Sequence, residues 1–186
     1  MKSYKVTIEI LSYWHAGSGH GTKGDLDATV LRNSHELPYL PGRTLKGLLR
    51  EGMRHAALQD EVDADLLFGK SAENKDPAGS SPGTLRFTDA RLPEDLAKSL
   101  ASDPAIGAQL FDSVSATALD EGGQAKDGSL RVSEVAVPMT LEATITQTEE
   151  KEVLSSLKEA ASFVRALGSH RHRGLGRCRI QVEPAN

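Results

Sequence analysis

The order of two hydrophobic periodicities constrains this chain more than any other feature. From Lys5 to Leu11, Val6, Ile8 and Ile10 alternate with Lys5, Thr7 and Glu9, the period of a half-buried strand. From Thr44 to Gln59 the apolar residues Leu45, Leu48, Leu49, Met53, Ala56 and Ala57 recur at helical spacing, with Thr44 placed to cap the helix. A second strand reads within Thr84–Leu92, a third over Glu134–Thr146, a second helix over Glu149–Leu167 and a last strand over Arg177–Val182. Strand, helix, strand, insertion, strand, helix, strand implies an α+β class. Its simplest form is a ferredoxin-like (RRM-like) βαββαβ sheet with two helices on one face.

Two insertions interrupt that frame, at about 15–42 and about 93–132. The first opens on a loop, His15–Gly24, with glycines at 17, 19, 21 and 24. It continues through short extended pieces, Thr29–Arg32 and Leu37–Leu40, around a turn at Asn33-Ser34. Ser71–Gly83 is rich in turn formers and reads as a loop. Pro93–Gln109 is weakly helical and broken at Pro104 and Gly107. Val114–Val132 places a polar turn, Asp120–Gly128, between two extended segments, the pattern of a projecting hairpin. At 186 residues the expectation is one domain, 1–186, carrying both insertions. No run approaches the roughly 20 apolar residues of a membrane span, so a cytoplasmic chain with no membrane partner is expected. The single cysteine, Cys178, excludes an internal disulfide and a cysteine-rich zinc site.

The net charge of −4 hides a segregated distribution. From Arg165 to Arg179 there are five arginines and no acid, and from Arg43 to Arg54 four bases face Glu51 alone. Acids gather elsewhere, at Asp60, Glu61, Asp63 and Asp65. Leu167–Ile180 is the densest stretch, with Gly168, Gly174 and Gly176 among Arg171, Arg173, Arg177, Arg179, His170 and His172. Glycine permits positive φ and close approach of backbone to a ligand. Arginine matches a phosphate with a two-pronged fork. The segment fits a loop that grips a phosphodiester backbone, against the plainer reading of a charged turn. Lys46, Arg50 and Arg54 recur every four residues and share a helix stripe, which on its own reads as a solvated face. Tyr13 and Trp14 suit either base stacking or the core. His15, His20 and His35 are acid–base candidates by residue type alone, and His170-Arg-His172 lacks the further ligands a metal site needs.

Three motifs, in this order, resemble the RAMP superfamily of CRISPR-associated proteins. Leu37-Pro-Tyr-Leu-Pro-Gly-Arg-Thr-Leu-Lys-Gly-Leu-Leu-Arg50 resembles its loop-to-helix signature. Thr117–Arg131 followed by Glu134-Val-Ala-Val-Pro138 resembles its thumb-like hairpin and the next strand, and Leu167–Ile180 resembles its C-terminal glycine-rich loop. Within that superfamily, Gly24-Asp-Leu-Asp-Ala-Thr-Val-Leu-Arg-Asn33 resembles a segment of the Csm/Cmr-like backbone subunits of type III effector complexes. Thr29 stands where that pattern has proline.

The resemblance implies a subunit that holds guide (CRISPR) RNA and complementary target RNA beside other RAMP subunits. It implies RNA contacts at Arg43, Thr44, Lys46, Arg50, His170, Arg171, His172, Arg173, Gly174, Gly176 and Arg177. Backbone N–H groups at Thr44 and Leu45 would face an anion at the helix start. It also implies metal-dependent cleavage of target RNA at Asp27, with a divalent ion such as Mg2+ held in part by that carboxylate and in part by water and RNA. Asp25 has no such assignment. Two alternatives stand beside it: a scaffold of the same complex that does not cut, and a metal-independent endoribonuclease that processes CRISPR repeats. A ferredoxin-like domain binding a small phosphorylated ligand is the plainest option.

Overall fold

The computed structural model describes residues 1–17, 26–56, 61–70, 80–149 and 152–185. The glycines at 19, 21 and 24, His20, Asp25 and most of the Ser71–Gly83 stretch lie outside the described residues. The elements in chain order are β1 (Lys2–Ile10), α1 (Gly42–Ala56), α2 (Glu61–Phe68), β2 (Leu85–Phe87), α3 (Glu94–Ala101), α4 (Pro104–Ala108), β3 (Phe111–Ala116), β4 (Arg131–Ala136), β5 (Thr140–Gln147), α5 (Leu154–Phe163) and β6 (Cys178–Pro184).

The main sheet has the order β2-β5-β1-β6 with antiparallel neighbours, the ferredoxin-like arrangement the periodicities imply. Alternation sorts its two faces. Tyr4, Val6, Ile8 and Ile10 of β1, Leu141, Ala143 and Ile145 of β5, and Cys178, Ile180 and Val182 of β6 are buried. They meet Leu45, Leu48, Leu49 and Met53 of α1 and Leu157, Ala160 and Ala161 of α5 in one core. Gly52 lets the two helices close up, since a Cβ there would strike the Ala160 carbonyl. The opposite face carries Lys5, Thr7, Glu9, Glu142, Thr144, Thr146, Arg179, Gln181 and Glu183. It presents no aromatic ring, so it is not a base-stacking platform.

Beyond shifts of a few residues at the ends of β1 and β6, four stretches differ from the sequence expectation. α1 begins at Gly42, so Thr44 is its third residue and not its cap. The Asp89 carboxylate takes that role, accepting from the Gly42 N–H at 3.0 Å. The expected strand Glu134–Thr146 is two strands in two sheets. β4 pairs with β3 while β5 pairs with β1, and Pro138, which has no N–H to give a ladder, lies between them. The expected helix Glu149–Leu167 is shorter, because Val164 leaves helical geometry and Ala166 bridges to Arg177. Finally, the weakly helical stretch resolves into α3 and α4. Pro104 starts α4, and the Asp103 side chain accepts from Ala105 N–H at 3.0 Å. The helix α2, among the acids at 61–65, has no counterpart in the sequence expectation.

Candidate functional site

The basic segment is the tip of a narrow antiparallel ladder. Leu167 N–H donates to the Gly176 carbonyl at 2.9 Å, and Cys178 N–H to the Arg165 carbonyl at 2.9 Å. Between these ties the chain turns through positive φ at Gly168 (79°), His170 (58°), Gly174 (93°) and Gly176 (67°), with a short 3-10 turn at Arg171–Arg173. The segment that follows β1 braces it. Gly176 N–H donates to the Tyr13 carbonyl at 2.7 Å, Arg177 N–H to Ser12 Oγ at 2.9 Å, and Ser169 N–H to the His15 carbonyl at 2.8 Å.

The glycines therefore do different work. A Cβ at Gly168 would strike the His15 backbone and one at Gly176 would strike that of Leu167, whereas one at Gly174 meets open space. Close approach at 168 and 176 is to the chain's own backbone, while Gly174 leaves the loop's outer face bare. His170, His172, Arg173 and Arg177 are exposed or half-exposed on that face. Arg173 and Arg177 have no acidic partner among the described residues. Arg171 is held by Glu51 of α1 through Nη1 at 3.1 Å and Nη2 at 3.2 Å. Cys178 is buried, and burial pushes its thiol up to about 11, so it stays protonated at neutral pH.

The helix stripe divides. Arg43 and Lys46 line a shallow cleft of about 300 Å³ with Arg86 of β2. Arg50 turns instead to Asp65 of α2 at 2.5 Å, with its side chain 24 % exposed. The Thr44 and Leu45 N–H groups both donate to the Pro41 carbonyl, at 2.8 and 3.1 Å.

Asp27 lies elsewhere, against the turn-side end of β4, beside Val132, which pairs with Ser115 of β3. Its N–H donates to the Val132 carbonyl at 2.8 Å, and its carboxylate Oδ2 accepts from the Val132 N–H at 2.8 Å. One residue on, Ala28 pairs parallel with Ser133. The segment is held by Glu134, a buried acid to which the sequence alone assigns no role. One oxygen of Glu134 accepts from the Val30 N–H at 2.9 Å and the other from Arg32 Nη2 at 2.5 Å. The Arg32 guanidinium lies 3.8 Å over the Phe111 ring. His15 completes the assembly. It is 4 % exposed, and its Nδ1 stands 2.6 Å from the Glu134 carbonyl while its own carbonyl takes Ser169. It is thus a structural tie between β4 and the basic loop.

Trp14 is fully buried and donates Nε1–H to the Val137 carbonyl at 3.1 Å, which makes it core. Tyr13 is partly exposed, and its hydrogen bond to Asp112 holds its phenol above the ordinary value. His35 is exposed at the Asn33 turn. No cluster of three or more His, Cys, Asp or Glu is formed among the described residues.

A ferredoxin-like sheet, a basic C-terminal loop and a hairpin with an acid held against its second strand define the class. Residues 7–179 match the RAMP superfamily, and the chain belongs to it. No curated relative matches. Among solved structures, a chain of the type III-B Cmr-beta apo state is similar at 13% identity and a TM-score of 0.73, with 97% of each chain covered. A chain of type III-B Cmr-beta bound to cognate target RNA is similar at 12% identity and 0.71, covering 98% of this chain and 97% of that one. At such identities the likeness is one of fold.

Proposed function

We propose that this chain is an RNA-binding backbone subunit of a type III CRISPR-Cas ribonucleoprotein. It holds guide RNA on the basic loop and the Arg43–Lys46 edge and packs against other RAMP subunits. It cuts complementary target RNA beside Asp27. Family membership and the end-to-end likeness to Cmr-beta chains support the first part. One observation carries the second: an exposed carboxylate fixed by a backbone N–H of β4 at 2.8 Å, where the projecting turn of the hairpin begins.

In this reading the hairpin enters the guide–target duplex and splays one target nucleotide. The ribose 2′-OH then lies in line with the adjacent phosphorus. The hydroxyl gives its proton to water as its oxygen forms the new O–P bond, the P–O5′ bond breaks, and the 5′ oxygen takes a proton from water, leaving a 2′,3′-cyclic phosphate and a 5′-hydroxyl. Asp27 orients the hydroxyl, and positioning supplies much of the rate. A divalent ion such as Mg2+, held in part by Asp27, would neutralise phosphate charge. Backbone contacts at Arg173, Arg177, Arg43 and Lys46 carry no base information, so any guide sequence is accepted.

Asp27→Ala in the assembled complex is expected to keep guide RNA and abolish cleavage at this subunit's site. Full cleavage would establish the scaffold reading instead, which has its own support in Thr29 and in a carboxylate already bonded to backbone. Replacing Arg173 and Arg177 together by alanine is expected to weaken RNA binding and lower the salt slope by about two.

A further inference from the structure

A cleft lies between α1, the end of α5 and the inner side of the basic loop, and its α1 and α5 walls have no role in the reading above. It holds about 260 Å³, and its lining includes Glu51, His55, Phe163, Arg165, Arg171 and His172. One side is aromatic. The His55 and Phe163 rings lie 20° from parallel with centroids 6.5 Å apart, and Phe163 is 47 % exposed. The other side is cationic, and Glu51 is its one acid among the lining residues.

Glu51 grips Arg171 through two N–H···O bonds, at 3.1 and 3.2 Å. That is the fork-to-fork geometry a guanidinium also makes with two oxygens of a phosphate. The side chains of the pair are 30 % and 50 % exposed, so water and salt weaken it and a stronger anion can replace it. An acidic peptide would use the fork but not the ring face. A nucleotide uses both, since every base has a π-face that stacks on an aromatic side chain. The volume is below the about 300 Å³ at which drug-sized pockets begin, which suits a single planar ring system with its phosphate at the rim.

We propose that this cleft takes one nucleotide of the bound RNA. The base lies against Phe163, the phosphate displaces Glu51 from Arg171, and Glu51 serves as a built-in competitor that keeps the guanidinium aimed. The inference rests on the RNA-binding reading above, and the experiment separates the two. The full chain is titrated with a short labelled single-stranded RNA and with a strand of equal length whose sugars carry no bases.

Glu51→Gln is expected to tighten both strands about threefold, the size of an exposed ion pair. Phe163→Ala is expected to weaken the RNA about tenfold and leave the abasic strand unchanged, while Phe163→Tyr binds as the parent does. Equal weakening of both strands by Phe163→Ala, or parental binding by both Glu51→Gln and Phe163→Ala, overturns the cleft. If those two are neutral while the Arg173/Arg177 double variant loses RNA, only the cleft falls. If the double variant also binds normally, the RNA-binding reading falls with it.

Discussion

The basic loop and the Asp27 segment are both irregular, yet they are built in opposite ways. The loop is largely shaped by its own sequence. Its left-handed residues, Gly168, His170, Gly174 and Gly176, lie within it, and its closing ladder joins residues 165–167 to 176–178. The Asp27 segment is extended and has little shape of its own. It is held by Val132, 105 positions away, and by Glu134, 104 positions from Val30 and 102 from Arg32. The loop turns on its own residues and takes from outside mainly the brace of Ser12, Tyr13 and His15, whereas a docked strand is only as well placed as the residue that docks it.

The largest test of that contrast is Glu134→Ala. It leaves the Arg32 guanidinium without its short partner and the buried side of Val30 without an acceptor. A loss of about 3 kcal/mol is expected in urea unfolding, together with loss of whatever activity Asp27 provides. A loss below about 1 kcal/mol would mean the segment docks without it. Gly176→Ala comes next. It meets the Leu167 backbone at φ 67°, and about 2 kcal/mol is expected from strain and displaced backbone. Asp27→Ala removes one side-chain bond to an exposed backbone N–H, worth about 1 kcal/mol. It leaves RNA affinity unchanged. Smallest is Gly174→Ala, with φ 93° but open space around it, at about 1 kcal/mol or less from backbone preference alone. If Gly174→Ala costs as much as Gly176→Ala in the same melts, the division between packed and open glycines is wrong.

The same contrast explains which features are legible in the amino-acid sequence. Strands and helices whose burial repeats locally, such as β1 with Val6, Ile8 and Ile10, follow from periodicity. The Gly/Arg loop follows from composition. Boundaries fixed by distant partners do not: nothing near Gly42 announces that Asp89, 47 residues on, caps α1. The Asp27 position comes from resemblance to a family, since a loop aspartate looks like any turn former. The ties made by Glu134 and His15 are not legible, because an acid in a strand-like stretch and a histidine at the start of a loop give no local sign of being buried or of bonding other segments. Pro138 is such a sign: within an apparent strand it argues for an interruption, and the chain does change sheets there.

That change of sheet has an engineering consequence. The β3–β4 ribbon forms its own two-stranded sheet, and its outer turn has room beside it at Gly123 and Gly128. Its length is therefore a free variable. Removing matched pairs of residues between Ala118 and Ser129, or adding them, is expected to leave the melting temperature of the four-stranded sheet within a few degrees. The reach of the projection would change while its anchor did not, as with a ruler clamped at one end.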